Sequence, residues 1–319
     1  MKRRKAEIRK LRGRPSDIFS VTLPRQILPG KSYLVTRRTT HRQFLLSPSC
    51  ATNENVRYCL ALAAERTGVF LHAVCVMSNH WHGVVTDPDA RLPEFIQCFH
   101  KLLAKAQNAS LGRSENLWST DKTSVVLLTS EQDVLDKMAY TLANPTAAGL
   151  VKSPEEWPGV ISGFFGEEHS VEMPDAFFDE DGDLPDTLEL KMVRPQIFVA
   201  LTDTELYARL REEVAARVRA TREEMATNGR SFLGRNAILR QNVEASPKTE
   251  AARRNLSPRI SGQTSAERVS AIRRLCEFWR AYRAAWNEWR QGRRDTIFPA
   301  GTYALRVNAS VTCANTAPS

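Results

Sequence analysis

The stretch FLHAVCVMSNHWHGVVT, residues 70–86, carries two apolar arms rich in β-branched residues, joined by a polar corner at Met77, Ser78 and Asn79. Asn beside Ser is turn chemistry, and both arms have the composition of strands, so the stretch reads as a tight hairpin. Just past the corner stand His80 and His82. Side chains at i and i+2 of a strand share a face, so the two imidazoles stand side by side while Trp81 points away. Two neutral imidazoles are the beginning of a divalent-metal site. A bare His-x-His is equally satisfied by one solvated ring and one core ring, so the pair acquires chemical meaning only with further ligands.

Working outward, strands and helices alternate around this hairpin. Ser32–Arg38 reads as the first strand, with Arg37, Arg38 and Arg42 clustered at its end. Residues 53–66 have helical spacing through Val56, Cys59, Leu60 and Ala63, and Gly68 follows as a stop. A second helix covers Leu92–Asn108, with Pro93 suited to its first turn and Lys101 and Lys105 on one polar face. A strand over Thr123–Leu128 is followed by a third helix. Ser130 caps it, and Asn144-Pro145 is expected to end it, because proline restricts the residue before it. This order predicts an α+β fold: a small antiparallel sheet covered by helices on one face.

The rest of the 319-residue chain is read more coarsely. Residues 1–23 are a basic arm; Met1–Arg14 alone holds eight basic residues against one Glu. The central domain is expected over 24–155 and an acidic linker over 156–200. A mainly helical, Arg-rich region is expected over 201–307, and a disordered tail over 308–319. Thr202–Thr227 with the short helix of 231–241, which carries Arg235 and Arg240, forms either a helix-turn-helix-like DNA module or a packing subdomain. The last long helix, Ser265–Gln291, interleaves Trp279, Tyr282, Trp286 and Trp289 with arginines. Such a pattern either stacks bases or buries aromatics under a basic face. The net charge of +9, concentrated in the arm and the C-terminal region, is a footprint for phosphate backbones. No apolar run approaches the ~18 residues of a membrane span and no signal-peptide core is visible. Six scattered cysteines without a C-x-x-C pair argue against a zinc ribbon or a disulfide framework and suit a reducing cytoplasm.

On the third helix Tyr140 and Asn144 are four residues apart and share a face. An Asn144 amide oxygen beside His80 and His82 would suit Mg²⁺ or Mn²⁺ better than a closed zinc set. Tyr140 would be the nucleophile; equally, it is a boundary aromatic at a helix end. Several segments in order settle the preference. They are Tyr33-Leu-Val-Thr-Arg37, Arg42-x-Phe44, Met77-Ser-Asn-His80-Trp-His82, Leu117-Trp118, and Tyr140-x-x-x-Asn144-Pro145-x-x-Ala148-Gly149-Leu150-Val151. Together they resemble the HUH single-tyrosine transposases, and within them the REP-associated tyrosine transposases. One departure is Ala147, where many relatives carry Arg.

The resemblance implies a ferredoxin-like or RRM-like αβ sandwich and metal-dependent nicking of single-stranded DNA beside a hairpin. It also implies a 5′-phosphotyrosine link on Tyr140 and subsequent strand transfer. His80, His82 and Asn144 would be metal ligands, and Arg37, Arg38, Arg42, Asn79, Lys101, Lys105, Arg235 and Arg240 are expected at the DNA. A homodimer and a monomer both fit. The competing readings are a hairpin-binding regulator without catalysis and a replication initiator or relaxase of the same chemistry.

Overall fold

Alternation of side chains across a pleated sheet decides this architecture. In the computed structural model, which describes residues 24–163, 165–177, 182–248 and 259–315, strand β1 (Lys31–Arg38) is followed by helix α1 (Cys50–Thr67). The hairpin β2 (Phe70–Met77) and β3 (His80–Asp87), helix α2 (Leu92–Ser110) and strand β4 (Ser124–Leu128) come next. The sheet order is β2-β3-β1-β4 with every pair antiparallel, the ferredoxin-like β-α-β-β-α-β arrangement. Local signals set the helix ends. Ser49 accepts from the Thr52 amide at the start of α1, and Gly68 closes that helix with φ 70°. The buried Asp87 carboxylate accepts from the Arg91 and Leu92 amides, both at 2.8 Å, and so caps α2 from the end of β3.

Helices cover both sheet faces rather than the one expected. On the first face the fully buried Trp81 meets Phe99 and His100 of α2, and α1 packs against α2. On the second, helix α3 (Glu131–Ala147) sets Val134, Leu135, Met138, Ala139 and Leu142 over Ala73 and Val84. Helix α4 (Asp203–Thr227) adds Leu206 and Leu210 to the same cluster. The second layer escaped the sequence reading because helix α4 lies beyond a stretch read as a linker.

That stretch is structured. Backbone bonds from Val76 to the Val160 carbonyl and from Ser162 to the Val74 carbonyl, both 2.8 Å, cover the free edge of β2. Trp157 Nε1 donates to the Val76 carbonyl at 3.1 Å. A hairpin, β5 (Glu168–Glu172) with β6 (Thr187–Lys191), follows, and Tyr58 of α1 donates to the Pro185 carbonyl at 2.7 Å. At the opposite edge Leu127 pairs with the 259–261 backbone. Exposed strand edges invite pairing with other chains, and both are covered here. The described residues within 156–200 are therefore an edge strap rather than a linker. Their acidic composition hid a few well-placed apolar anchors: Trp157, Val171, Leu188 and Phe198 are all buried.

The described residues divide into two compact units, one within 30–261 and the other made of 24–29 with 262–315. The first includes the short helix α5 (Arg235–Leu239). The second is built on helix α6 (Ser265–Arg290) and helix α7 (Ala304–Ala309), with Phe278, Tyr282 and Phe298 in ring contact. Part of the expected disordered tail is ordered: Phe298 exchanges backbone bonds with Thr312 and Ala314, both 2.8 Å. The basic arm lies outside the described residues.

His72, at the register shift in β2, is fully buried; its Nδ1–H donates to the Val193 carbonyl at 2.6 Å and its Nε2 accepts from Thr86 at 2.7 Å. Burial pushes its pKa down to about 4. Between the unfolded value near 6.5 and 4 the unfolded chain binds the extra proton, so stability falls as pH falls through that window and is fully present above it. His72 alone should contribute a loss of about 3 kcal/mol. Urea midpoints at pH 7 and pH 4.5 should differ accordingly, and less so in His72→Gln; equal pH slopes in the two proteins would sink this assignment.

Candidate active site

The corner at Ser78-Asn79 and the turn after β1 together orient the histidine pair. In register, Thr36 faces His82 and Arg38 faces His80, so all four side chains lie on the α3 side of the sheet. The two imidazole centroids are 4.7 Å apart and edge-on. Asn79 Nδ2 donates to the Arg42 carbonyl at 3.1 Å, which leaves its Oδ1 to accept from His80 Nδ1 at 2.7 Å. His82 Nδ1 meets the Thr36 hydroxyl at 2.9 Å. The Asn79 oxygen accepts from His80 Nδ1–H and so leaves the His80 Nε2 with the lone pair a metal needs; a Thr36 hydroxyl that accepts from His82 Nδ1–H would do the same for His82.

The Nε2 of His82 is buried with no hydrogen-bond partner, a cost a native fold bears where the atom has another use. Burial, and then the charges of Arg38 and Arg42, push the His80 pKa down to about 4; burial and His80 push His82 well below its ordinary value. Both rings are therefore neutral near neutral pH.

Helix α3 brings the phenol to this pair. The ring of Tyr140 packs edge-on to His82 at 5.3 Å between centroids, in the same chain. Tyr140 is 36% exposed, although its ring packs on His82. Lys137, one turn earlier, places its ammonium 5.9 Å from the Tyr140 ring and 2.7 Å from Asp136, which Arg217 of α4 also grips. Asn144 is 7% exposed on the turn after Tyr140.

The helix does not stop at Asn144-Pro145 but runs to Ala147, with Pro145 inside it. A proline there lacks a donor and costs about 3 kcal/mol in an open helix. Here Asn144, Pro145 and Thr146 are buried, and Ala148 donates to the Asn144 carbonyl at 2.9 Å, so packing holds the last turn. As a result Asn144 keeps its four-residue alignment with Tyr140.

The expected DNA contacts separate. Arg38, Arg235 and Arg240 are exposed, and Arg42 is half-buried beside His80. Arg37 points to the opposite sheet face, where it donates to Thr123 at 3.0 Å and lies over the Trp118 ring at 5.6 Å. Lys101 and Lys105 are exposed on α2, the helix of that opposite face. Arg37 is removed from the histidine face by the pleat, which sends odd and even residues of β1 to different sides, and the two lysines by the helix that carries them. Asn79 orients His80. The residues missed by sequence reading are Thr36 and Lys137. Lys137 was visible at i−3 from Tyr140, whereas Thr36 needed the β1–β3 register.

No group of three or more His, Cys, Asp or Glu side chains is gathered for a metal among the described residues. The nitrogen donors that the structure does bring together are the imidazoles of His80 and His82, with Asn144 one turn beyond Tyr140 on α3. No helix among them is long and apolar enough to cross a membrane.

Fold and site together define an α+β domain whose ferredoxin-like sheet presents two neutral imidazoles and a phenol on one face. Two solved structures are similar to part of the chain. A REP-associated tyrosine transposase bound to a REP hairpin is 19% identical, covering 44% of this chain and 81% of its own, with a TM-score of 0.35. A candidate transposase from Deinococcus radiodurans R1 is 19% identical, covering 35% of this chain and 88% of its own, with a TM-score of 0.27. No protein-family model and no curated protein sequence matches the chain.

Proposed function

We propose that this chain is a single-tyrosine DNA transposase of the HUH kind, nicking single-stranded DNA beside a hairpin and transferring strands. The observation that carries the reading is the ring contact of Tyr140 with His82, whose Nε2 is buried and unpartnered. A structural aromatic would not need an imidazole pair turned lone-pair outward beneath it. The Tyr140 hydroxyl gives up its proton as its oxygen attacks the scissile phosphorus, the P–O3′ bond breaks, and the departing 3′ oxygen takes a proton. The 5′ side stays on Tyr140 as a phosphodiester. A second 3′-hydroxyl then attacks that phosphorus, gives up its proton and restores the phenol, so the bond energy is conserved.

His80, His82 and Asn144 would hold Mg²⁺ or Mn²⁺, which when bound polarises the phosphodiester and offsets its developing charge. Thr36 and Asn79 keep the imidazole tautomers correct, while Arg38 and Arg42 add positive charge at the same end of the sheet. Because Tyr140 meets His82 within one chain, no second copy is needed to supply the nucleophile.

The test is incubation with labelled hairpin oligonucleotides in Mn²⁺ or EDTA. A covalent protein–DNA adduct that requires the metal is expected. DNA binding with no adduct across a broad hairpin panel would instead favour a non-cutting regulator. For the orienting residues, Thr36→Val and Asn79→Ala should each weaken Mn²⁺ binding about 10–100-fold in calorimetry, the usual effect of losing a partner of a metal-bound histidine. Unchanged affinity in both variants would remove them from the site.

A further inference from the structure

Helix α6 carries a stripe on which tryptophan and arginine alternate. Trp279, Arg283, Trp286 and Arg290 follow one another at spacings of four, three and four residues, so they share one face. The core of this unit uses a different set: Ala271, Cys276, Phe278, Ala285 and Phe298 are buried. Trp286 and Trp289 are only half-buried, although tryptophan is among the largest apolar side chains. Their rings stack on each other, with centroids 5.4 Å apart and planes 21° apart. The Arg294 guanidinium lies 4.3 Å from the Trp289 ring centroid. Arg283 and Arg290 are exposed, and neither pairs with a carboxylate among the described residues.

Between Ser265 and Arg306 there are nine arginines and four carboxylates. A core role accounts for none of this, since it would bury the indoles and leave the arginines to ordinary helix pairing.

We propose that the Trp286–Trp289 pair, flanked by Arg283, Arg290 and Arg294, is a stacking platform for single-stranded DNA, built from other residues than the histidine–tyrosine site. Every base offers a π face to a half-buried indole, and arginines on either side neutralise the phosphates that follow. An apolar partner helix fits worse, because a charge interrupts the aromatic stripe every three or four residues. A polyanion satisfies each interruption. The choice of DNA over RNA rests on the proposed function; the stacking and the phosphate contacts do not.

The experiment uses the full chain carrying Tyr140→Phe, in EDTA, so that neither cleavage nor metal contributes. Binding of a fluorescein-labelled oligothymidylate too short to fold is followed by anisotropy across a salt series. Trp286→Ala with Trp289→Ala should weaken binding at least about tenfold, the scale of losing a stacked base. Trp286→Phe with Trp289→Phe keeps two π faces and should retain most of the affinity. Arg283→Gln with Arg290→Gln should lower the slope of log K against log salt by about 1.4, at 0.7 per phosphate on a single strand. An iodouracil-substituted strand should crosslink to Trp286 or Trp289.

Undiminished binding by the double alanine variant, or crosslinks only outside α6, overturns the platform. Equal losses in the alanine and phenylalanine variants also overturn it, assigning the rings to packing. Tighter binding of an oligouridylate would overturn the assignment to DNA. None of these outcomes depends on whether hairpin DNA forms an adduct with wild-type Tyr140, so the two readings fail separately.

Discussion

Tyr140→Phe is expected to abolish the covalent adduct with hairpin DNA while leaving DNA binding within about twofold of wild type. The substitution is close to a pure removal of one oxygen. Phenylalanine keeps the ring that packs on His82 and the position of α3 over Ala73 and Val84. What disappears is the only atom the proposed reaction asks to attack phosphorus. Losing a nucleophile from a catalytic unit costs on the order of 10³-fold or more, because no neighbour can replace the bond it forms. The candidates nearby are a lysine ammonium, tied to Asp136, and two imidazoles that would hold the proposed metal. The readout is the labelled band that migrates with the protein after denaturation. Adduct formation at the wild-type rate in Tyr140→Phe would move the nucleophile elsewhere and end the single-tyrosine reading. Loss of binding together with the adduct would mean that the phenol holds the strand rather than cutting it.

The second large effect is on stability and concerns Trp81, the residue between the two histidines. It is completely buried, meets Phe99 edge-on at 4.8 Å, and donates its indole N–H to His100 Nε2 at 3.0 Å. Trp81→Ala should cost about 3–5 kcal/mol from lost burial and the cavity left behind. The unpaired His100 nitrogen adds to that loss, since an orphaned buried acceptor costs about 1–3 kcal/mol. Against a typical net stability of about 5–15 kcal/mol, such a change moves a urea midpoint far or unfolds the domain outright.

Gly83 belongs to the same arrangement. A Cβ on it would lie 2.6 Å from Trp81 Cζ3, because the indole lies back over the glycine two residues along the same face. Gly83→Ala should therefore destabilise by about 1–3 kcal/mol, as overpacking of a full core does. Urea denaturation followed by circular dichroism measures both. Wild-type midpoints in either variant would show that the first layer is not anchored through this indole.

The sequence by itself determined the hairpin, the antiparallel α+β sheet, the cap at Ser130, and the pairing of His80 with His82. Each is written in short-range pattern: alternation along a strand, helical spacing, a hydroxyl three residues before a free amide. It also singled out Tyr140 and Asn144 as residues four apart on one helix. Only the tertiary structure decided which side of the sheet that helix covers, and hence that the phenol meets His82. Register across strands decided the rest. It placed Thr36 beneath His82 and sent Arg37 to the far face with Trp118 and Thr123. The last turn of α3 past Pro145, and the acidic strap along β2, were likewise beyond local reading. In both, burial against residues distant in sequence overrides what proline or a run of acids would do alone.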